Sequence, residues 1–553
     1  MIKPVRSLLW TLLVFLPACA APADTIVGNV VDETGAPLAG AVVRVRTTKI
    51  ETTADLEGQF VLAGLAPEEP VFVTAWIEGY YINGAADILP GEDVEIVLQP
   101  LHTSDDPTYT WLPSRYHPGA GENQGCAECH SSGEADNALP VDQWLLDAHA
   151  NTASNPRFLT MYLGTDIFGN QSPQTRYATA RDYGSFPLPP DLEQSYFGPG
   201  YKLDFPNIAG NCAACHTPAA SVNNPYGVDP TMVSGVAAEG IPCDFCHKIW
   251  DVQLNPKKGL PYANMPGVLS YQFLRPPEGH QFFAGPYDDV APGEDTYSPL
   301  QQQSQFCAPC HYGVFWDTLI YNSFGEWLES PYSDPETGQT CQDCHMPTGV
   351  EDHFALTGVG GQIRNPETIF SHQMPGASEL ELLQNAVSLS MQARRENNEI
   401  VLSVDIFNDN TGHHIPTDSP LRHLILIVQA ADASGNALSL ISGPIIPAWG
   451  GVGEPDEGYY AGLPGTIYAK VLEELWTEVS PSGAYWNPTR IVSDNRIAAQ
   501  ETASSSYRFI APEEGPTMIE VHLVYRRAFI ELMEQKGWNV PDIVIALDRL
   551  TLD

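Results

Sequence analysis

Residues 307–311 read Cys-Ala-Pro-Cys-His, and residues 341–347 read Cys-Gln-Asp-Cys-His-Met-Pro. Each stretch contains the motif C-x-x-C-H, the signature of covalent c-type haem attachment. Two cysteines at this spacing lie about one helical turn apart, so both sulfurs reach the two vinyl groups of one porphyrin. The histidine that follows is then placed as the proximal ligand of the iron.

The same motif occurs three more times, at residues 126–130, 212–216 and 243–247. We therefore expect five c-type haems, each with one iron. The predicted attachment residues are Cys126, Cys129, Cys212, Cys215, Cys243, Cys246, Cys307, Cys310, Cys341 and Cys344. The predicted proximal ligands are His130, His216, His247, His311 and His345.

The cysteine count makes the motif specific. The chain has 11 cysteines, and the five motifs use all of them except Cys19. Zinc sites also use C-x-x-C pairs, and exported proteins often carry disulfides. Neither alternative explains a histidine directly after every second cysteine, so haem attachment is the favoured interpretation.

Composition is typical of a soluble protein with several domains. The chain has 553 residues, 43% of them hydrophobic, and a formal net charge of −42. This charge argues against nucleic acid or an anionic membrane as a direct partner. It either favours redox partner proteins with basic docking surfaces or simply keeps the protein soluble, and scattered rather than clustered acidic residues favour the second interpretation.

Residues 1–23 predict an export signal. Lys3 and Arg6 precede the apolar residues 8–16, which are too few to span a bilayer. Ala-Pro-Ala at 21–23 predicts ordinary cleavage, whereas Leu-Pro-Ala-Cys at 16–19 resembles a lipobox in which Cys19 is lipidated. The lipoprotein interpretation is preferred because Cys19 lies outside every motif. We expect a periplasmic or cell-surface protein whose contact with a membrane is limited to that lipid.

Residues 24–100 are predicted to form short strands divided by turns. Residues 41–45 alternate and are β-branched, and the cluster at 32–35 is typical of a turn. The pattern resembles the carboxypeptidase regulatory-like domain. This resemblance implies a small β-sandwich that acts as a spacer or an interaction module.

The remaining chain is predicted to form two further domains. Residues 101–377 are rich in Pro, Gly and aromatic residues, which predicts a loop-rich, mainly α domain whose porphyrins replace a conventional core. Motif spacing predicts two close haem pairs and a separate first haem. Residues 378–553 read as a second β-sandwich. The predicted fold is therefore a multihaem domain flanked by two β-sandwich domains.

Ten histidines outside the motifs are candidates for the sixth iron ligand. His149 is the best local candidate, because a helix over 143–149 capped by Asp142 places Leu145 and His149 on one face. Met265 and Met374 are alternatives, although methionine more often fills a core. The other candidates in or near this region are His372, His280 and His117, with His353 competing for the same role.

Several stretches resemble the multihaem cytochrome family that includes the cytochrome c-554 type, and more distantly the pentahaem nitrite reductases and hydroxylamine oxidoreductases. The stretches are 144–149, 240–248, 306–311, 322–332 and 341–347. The resemblance implies bis-histidine haems packed for electron transfer. Nitrite reductases usually carry C-x-x-C-K at the catalytic haem. All five motifs here end in histidine, which argues against nitrite reductase chemistry.

A further stretch, Gly-His-His-Ile-Pro-Thr-Asp at 412–418, resembles the G-H-x-x-P-T-G loop that follows the haem region in such cytochromes. The resemblance implies that His413 is an iron ligand. His414 is adjacent and is an alternative. Asp418 stands where the family usually has glycine.

The favoured function is electron transfer through a chain of haems, and we assign no catalytic residue. One alternative is an oxidoreductase that acts on a small nitrogen or sulfur compound at a haem without a distal ligand. Another is a subunit of an extracellular cytochrome assembly.

The motif count predicts the mass of the mature protein. After free haem is extracted with acid–acetone, the intact mass should exceed that of the polypeptide by five haems, because thioether bonds survive the extraction. Recovery of zinc, or of a haem-free chain with disulfides, would contradict the prediction.

Overall fold

The computed structural model describes residues 24–116, 125–290 and 293–553. The chain divides into two units. One holds the described residues up to His102 together with Tyr287–Tyr297, and the other holds Thr103–Pro286 and Ser298–Asp553. The predicted division at residue 377 stays a prediction. Within the described residues, no helix has the length and hydrophobicity needed to cross a bilayer.

The N-terminal module is built from seven strands in two sheets. The strands are β1 (Thr25–Asp32), β2 (Val42–Val45), β3 (Glu51–Thr53), β4 (Gln59–Ala63), β5 (Val71–Trp76), β6 (Asn83–Ile88) and β7 (Asp93–Leu98). The sheet orders are β4-β1-β7 and β3-β2-β5-β6. Alternate residues of β7 are buried, since Val94, Ile96 and Leu98 face a core that contains residues of both sheets.

A segment from much later in the chain belongs to the same unit. In Tyr287–Tyr297, Asp288 lies 3.0 Å from Arg44 Nη2, and Thr296 Oγ1 accepts a hydrogen bond of 3.0 Å from Trp76 Nε1. These contacts join residues more than 200 positions apart. No local sequence pattern reveals such a pairing.

The central region, residues 125–345, carries short elements. Its helices are α1 (Ala127–His130), α2 (Pro140–Leu146), α3 (Pro156–Leu163), α4 (Tyr201–Asp204), α5 (Ala213–His216), α6 (Pro218–Ser221), α7 (Cys243–His247), α8 (Ser323–Leu328) and α9 (Cys341–His345). Its strands are β8 (Tyr177–Ala180), β9 (Gly184–Pro187), β10 (Ile249–Val252), β11 (Tyr271–Phe273), β12 (Phe283–Gly285), β14 (Gly313–Phe315) and β15 (Thr318–Tyr321), whereas β13 (Asp295–Tyr297) belongs to the unit of the N-terminal module. Antiparallel ribbons are formed by β8 with β9, β10 with β11, and β14 with β15.

The C-terminal β region, residues 380–552, consists of two sheets over one apolar core. Its elements are α10 (Leu380–Gln384), β16 (Ser388–Glu396), β17 (Glu399–Phe407), β18 (His423–Ala431), β19 (Leu440–Ser442), β20 (Gly465–Glu474), β21 (Thr489–Asp494), β22 (Thr502–Ile510), β23 (Thr517–Arg526), α11 (Ile530–Lys536) and β24 (Ile543–Leu552). The sheet orders are β16-β17-β22-β19 and β21-β20-β18-β23-β24. Leu402 of β17 and Leu426 of β18 belong to the shared core.

The prediction of a loop-rich, mainly α multihaem domain is wrong. Strands make up 29% and helices 18% of the structure. A C-x-x-C-H motif requires only one helical turn, and the central helices are four to eight residues long. Helices this short are marginal by themselves. Several intervening segments that read as loops instead pair as β ribbons.

The shared core predicts the effect of a cavity in the C-terminal β region. Leu402 is fully buried, so Leu402→Ala should lower the free energy of unfolding by about 2–5 kcal/mol. Ser403→Ala, on the opposite face of β17, should change it by less than about 0.5 kcal/mol. Denaturant unfolding followed by circular dichroism measures both, and equal effects would contradict the assigned faces.

Candidate haem sites

Each cysteine motif forms a single helical turn. Four motifs form or begin α1, α5, α7 and α9. In the fourth, the amide of His311 donates a hydrogen bond of 3.2 Å to the carbonyl of Cys307. The turn in α9 is capped, because Asp343 accepts from the amide of Thr340 at 2.7 Å and Thr340 Oγ1 accepts from the amide of Asp343 at 3.2 Å. Both cysteines and the histidine of a motif are thereby held by one rigid turn.

The described motifs lie against one another. The thiols of Cys126 and Cys243 are neighbours, and the pKa of Cys126 is raised by that contact and by burial. The same holds for Cys215 with Cys310 and for Cys307 with Cys341. These contacts join the first motif to the third, the second to the fourth, and the fourth to the fifth. The first motif therefore lies against another motif, whereas motif spacing had predicted a separate first haem.

The ring orientation of the motif histidines suits metal binding. The Nδ1 atoms of three rings lie at hydrogen-bonding distance from backbone carbonyls: His130 from Phe354 O at 2.7 Å, His247 from Ala284 O at 2.8 Å, and His345 from Pro375 O at 2.7 Å. An Nδ1–H bound to a carbonyl fixes the tautomer and leaves Nε2 as the free ligand atom. This arrangement fits an imidazole bound to haem iron.

The ring of His149 lies near that of His311, the predicted proximal ligand of the fourth motif. The ring centroids of His149 and His311 are 6.3 Å apart. Because a metal–imidazole bond is about 2 Å long, two rings on opposite sides of one metal have centroids about 6 Å apart. Asp147 Oδ2 lies 2.6 Å from Nδ1 of His149, which leaves Nε2 for the metal. The structure thus brings the predicted distal ligand His149 to a motif more than 150 residues away.

The local reasoning for His149 was wrong. Helix α2 ends at Leu146, so Leu145 and His149 are not on one continuous helical face. Asp147 accepts hydrogen bonds from the amides of Ala148 and His149, which ends the helix. Asp142 does not precede the helix as a cap. Asp142 lies within the first turn, and its carboxylate accepts a hydrogen bond from the amide of Leu139.

His413 stands opposite His345 in the same way. Their ring centroids are 6.4 Å apart and the rings are 13° from parallel. Nδ1 of His413 lies 2.9 Å from the carbonyl oxygen of His414, so Nε2 is available. His414 instead faces Glu326, with its Nδ1 atom 3.7 Å from Oε1. The structure therefore favours His413 as the ligand of the two adjacent histidines.

A buried carboxylate holds the loop that carries His413. Glu326 of α8 is 3% exposed and receives a hydrogen bond of 2.7 Å from Arg496 Nη1. It also accepts from Thr417 Oγ1 and, at 3.2 Å, from the amide of His414. Sequence analysis did not single out Glu326 or Arg496. A glutamate in an aromatic-rich helix gives no local sign that it pairs across the fold.

Asp418 lies beside the proximal histidine of the fourth motif. Its backbone has a φ of +66°, a left-handed conformation that glycine adopts more readily than other residues. Its Oδ2 atom is 3.7 Å from Nδ1 of His311. Although burial would lower the pKa of His311, the carboxylate raises it to about 9.

The remaining candidate ligands have different surroundings. His372 is close to His247 and His130, and burial and those neighbours lower its pKa to about 4. His280 is exposed in a turn, and Nδ1 of His353 is 2.6 Å from Asp352 Oδ1. His117 lies outside the described residues. In the described part of the chain, no three side chains of His, Cys, Asp or Glu converge as a metal-chelating group.

Comparison with known proteins identifies the first module and the overall similarity. Residues 25–99 match the carboxypeptidase regulatory-like domain, which confirms the predicted identity of this module. The fold is similar to the crystal structure of a penta-haem cytochrome c552 from Thermochromatium tepidum, with a TM-score of 0.51 and 18% identity. The match covers 77% of this chain and 97% of that chain.

Other matches carry no argument. A cohesin–X-dockerin complex from Acetivibrio cellulolyticus is 20% identical over 14% of this chain and 58% of that chain, with a TM-score of 0.13. No curated protein matched the chain. The cytochrome match shows a shared fold, and at this identity it does not establish membership of the c-554 family.

The ring pairs His149–His311 and His413–His345 predict which histidines occupy the sixth coordination position of an iron. His149→Ala and His413→Ala should each create one haem that binds carbon monoxide, because the sixth position opens. His414→Ala is the matched control and should leave the spectrum low-spin. Carbon monoxide difference spectra measure all three. A new carbon monoxide complex in His414→Ala but not in His413→Ala would reverse the assignment.

Proposed function

We propose that this chain is an exported pentahaem c-type cytochrome that transfers electrons through covalently bound haems. The observation that carries the proposal is the pair of opposed imidazoles, His149 with His311 and His345 with His413, at separations that suit one iron between each pair. A haem iron held between two imidazoles supplies outer-sphere electron transfer and has no free position for a substrate.

The protein residues hold the ligands and bring the sites together. Carbonyl and carboxylate partners of Nδ1 orient five of the candidate ligand rings before any metal binds, which reduces reorganisation when the charge of the iron changes. These rings are those of His130, His149, His247, His345 and His413. Contacts between cysteines of different motifs place the attachment points close together. Short distances between haems favour electron transfer along the chain.

The surface charge indicates the partner. With a net charge of −42, the protein attracts redox proteins that have basic docking surfaces. The proposed location is the periplasm or the cell surface, because residues 1–23 predict export and lipidation of Cys19 provides a membrane anchor.

A second candidate function is reduction or oxidation of a small nitrogen or sulfur compound at the second motif. Among the described residues, no histidine ring contacts His216, whose ring stacks on Phe158 at 3.8 Å. Its Nδ1 atom is buried without a hydrogen-bond partner. His216 is therefore held differently from the other motif histidines.

The first test is turnover. Purified protein with reduced dye should consume well below about one molecule of nitrite, hydroxylamine or sulfite per protein per second. The reason is that an iron with six ligands binds no substrate. Enzyme-like turnover together with a high-spin haem signal would contradict electron transfer as the function and support the second candidate.

The second test is salt dependence. Electron transfer to a small basic cytochrome should slow as ionic strength rises, because salt screens attraction between opposite charges. Transfer to an uncharged dye is the control and should not change. A rate to the basic cytochrome that is independent of salt would contradict the proposed partner.

A further inference from the structure

Three arginines meet at one end of the five-stranded sheet in the C-terminal β region. Arg422 directly precedes β18 and Arg527 directly follows β23. The register pairs His423 with Arg526, so its continuation places Arg422 opposite Arg527. Residues opposite each other in an antiparallel pair point to the same face, with Cβ atoms about 5 Å apart. Arg157, in the first turn of α3, lies close to both.

Among the described residues, none of the three arginines forms an ion pair within 4 Å. Although burial would lower the pKa of Arg422, the charges of Tyr525 and of the nearby Asp418 carboxylate raise it. Arg422 Nη1 donates only to the carbonyl of Thr417 at 3.3 Å, and Arg527 Nε donates only to that of Ala377 at 3.2 Å. The chain has 68 acidic and 26 basic residues. Three neighbouring arginines that form no ion pair are therefore unexpected on composition.

Their proximity has an electrostatic cost. Burial, together with the charges of Arg527 and Arg422, lowers the pKa of Arg157. Like charges placed opposite each other on a sheet are destabilising. A bound anion would remove this cost, because it offers each guanidinium a charged acceptor.

Tyr525 provides a second and independent observation. Tyr525 lies on β23, two residues before Arg527, so the two side chains point to the same face. The residue is 2% exposed, and its hydroxyl forms no hydrogen bond with any described residue. The hydroxyl is therefore available to donate a hydrogen bond to a bound anion. Burial raises the pKa of Tyr525, whereas Arg422, Arg527 and Arg157 act to lower it, so the phenol faces the arginines.

The cluster adjoins the candidate haem sites. Arg157 is followed by Phe158, whose ring stacks on His216 of the second motif. Arg422 is close enough to act on the pKa values of Asp418 and His413. The unpaired positive charge therefore lies beside residues that serve several motifs.

We propose that Arg157, Arg422, Arg527 and the hydroxyl of Tyr525 form an anion-binding site for a carboxylate or a small oxyanion. Arginine recognises both through paired N–H donors, and the tyrosine adds one O–H donor. The same chemistry has two sources. One source is a propionate of a neighbouring haem, and this case rests on the proposed haem attachment. The other source is a free oxyanion.

The test uses the haem-loaded full chain. Arg422→Gln removes one charge, Tyr525→Phe removes only the hydroxyl, and Arg394→Gln is the control, because Arg394 is exposed and pairs with Glu396 at 2.7 Å. Haem content is measured on every preparation, so a failure of haem attachment is separated from a failure of this site. If Arg422→Gln does not fold, Tyr525→Phe still tests the proposal.

Two measurements distinguish the sources. If the anion is a propionate, redox titration should show a lower midpoint potential for one haem in Arg422→Gln, because a positive charge that disfavours the oxidised iron is lost. In that case calorimetry with inorganic phosphate or sulfite should show no binding to the unaltered protein. If the anion is free, one equivalent of phosphate or sulfite should bind, and Tyr525→Phe should weaken it by about tenfold.

Either result supports the site. The proposal is overturned if Arg422→Gln and Tyr525→Phe match Arg394→Gln in every midpoint potential and the unaltered protein binds neither anion. Because the haem count is known in each sample, this outcome leaves the proposed electron-transfer function standing.

Discussion

The hydrogen bonds that hold Nδ1 of the candidate ligand histidines are the interaction on which the rest of the site depends. An imidazole has two nitrogens, and only the one left free can bind a metal. In His130, His247 and His345 a backbone carbonyl occupies Nδ1. These carbonyls come from segments well removed in sequence from the motif they serve. The path of the backbone through the central region is therefore coupled to the direction in which each Nε2 atom points.

The C-terminal β region is part of the site rather than an appendage. It supplies His413 opposite His345, and Asp418 beside His311. The loop that carries these residues is held by Glu326 of the central region, which is buried with Arg496. Breaking such a buried pair costs about 3–5 kcal/mol. Ligand position and the stability of the interface inside this unit therefore depend on the same contact.

Charge is distributed differently on the surface and in the interior. The surface is strongly acidic, which suits solubility and attraction of basic partners. Inside, Glu326 pairs with Arg496, whereas Arg157, Arg422 and Arg527 form no ion pair among the described residues. The interior placement of charge therefore cannot be deduced from the net charge of the chain.

The motifs and the identity of the first module are local properties, and the sequence by itself determined them. Cysteine spacing within one turn is decided by helix geometry, and the carboxypeptidase regulatory-like domain is visible as alternating short strands. The mainly α expectation failed because single-turn helices add little helix and because segments read as loops pair as ribbons. Only the tertiary structure decided that His149 faces His311, that His413 rather than His414 faces His345, and that Glu326 and Asp418 support them. Each of these contacts joins residues tens to hundreds of positions apart, where neither periodicity nor motif spacing carries information about distance in space.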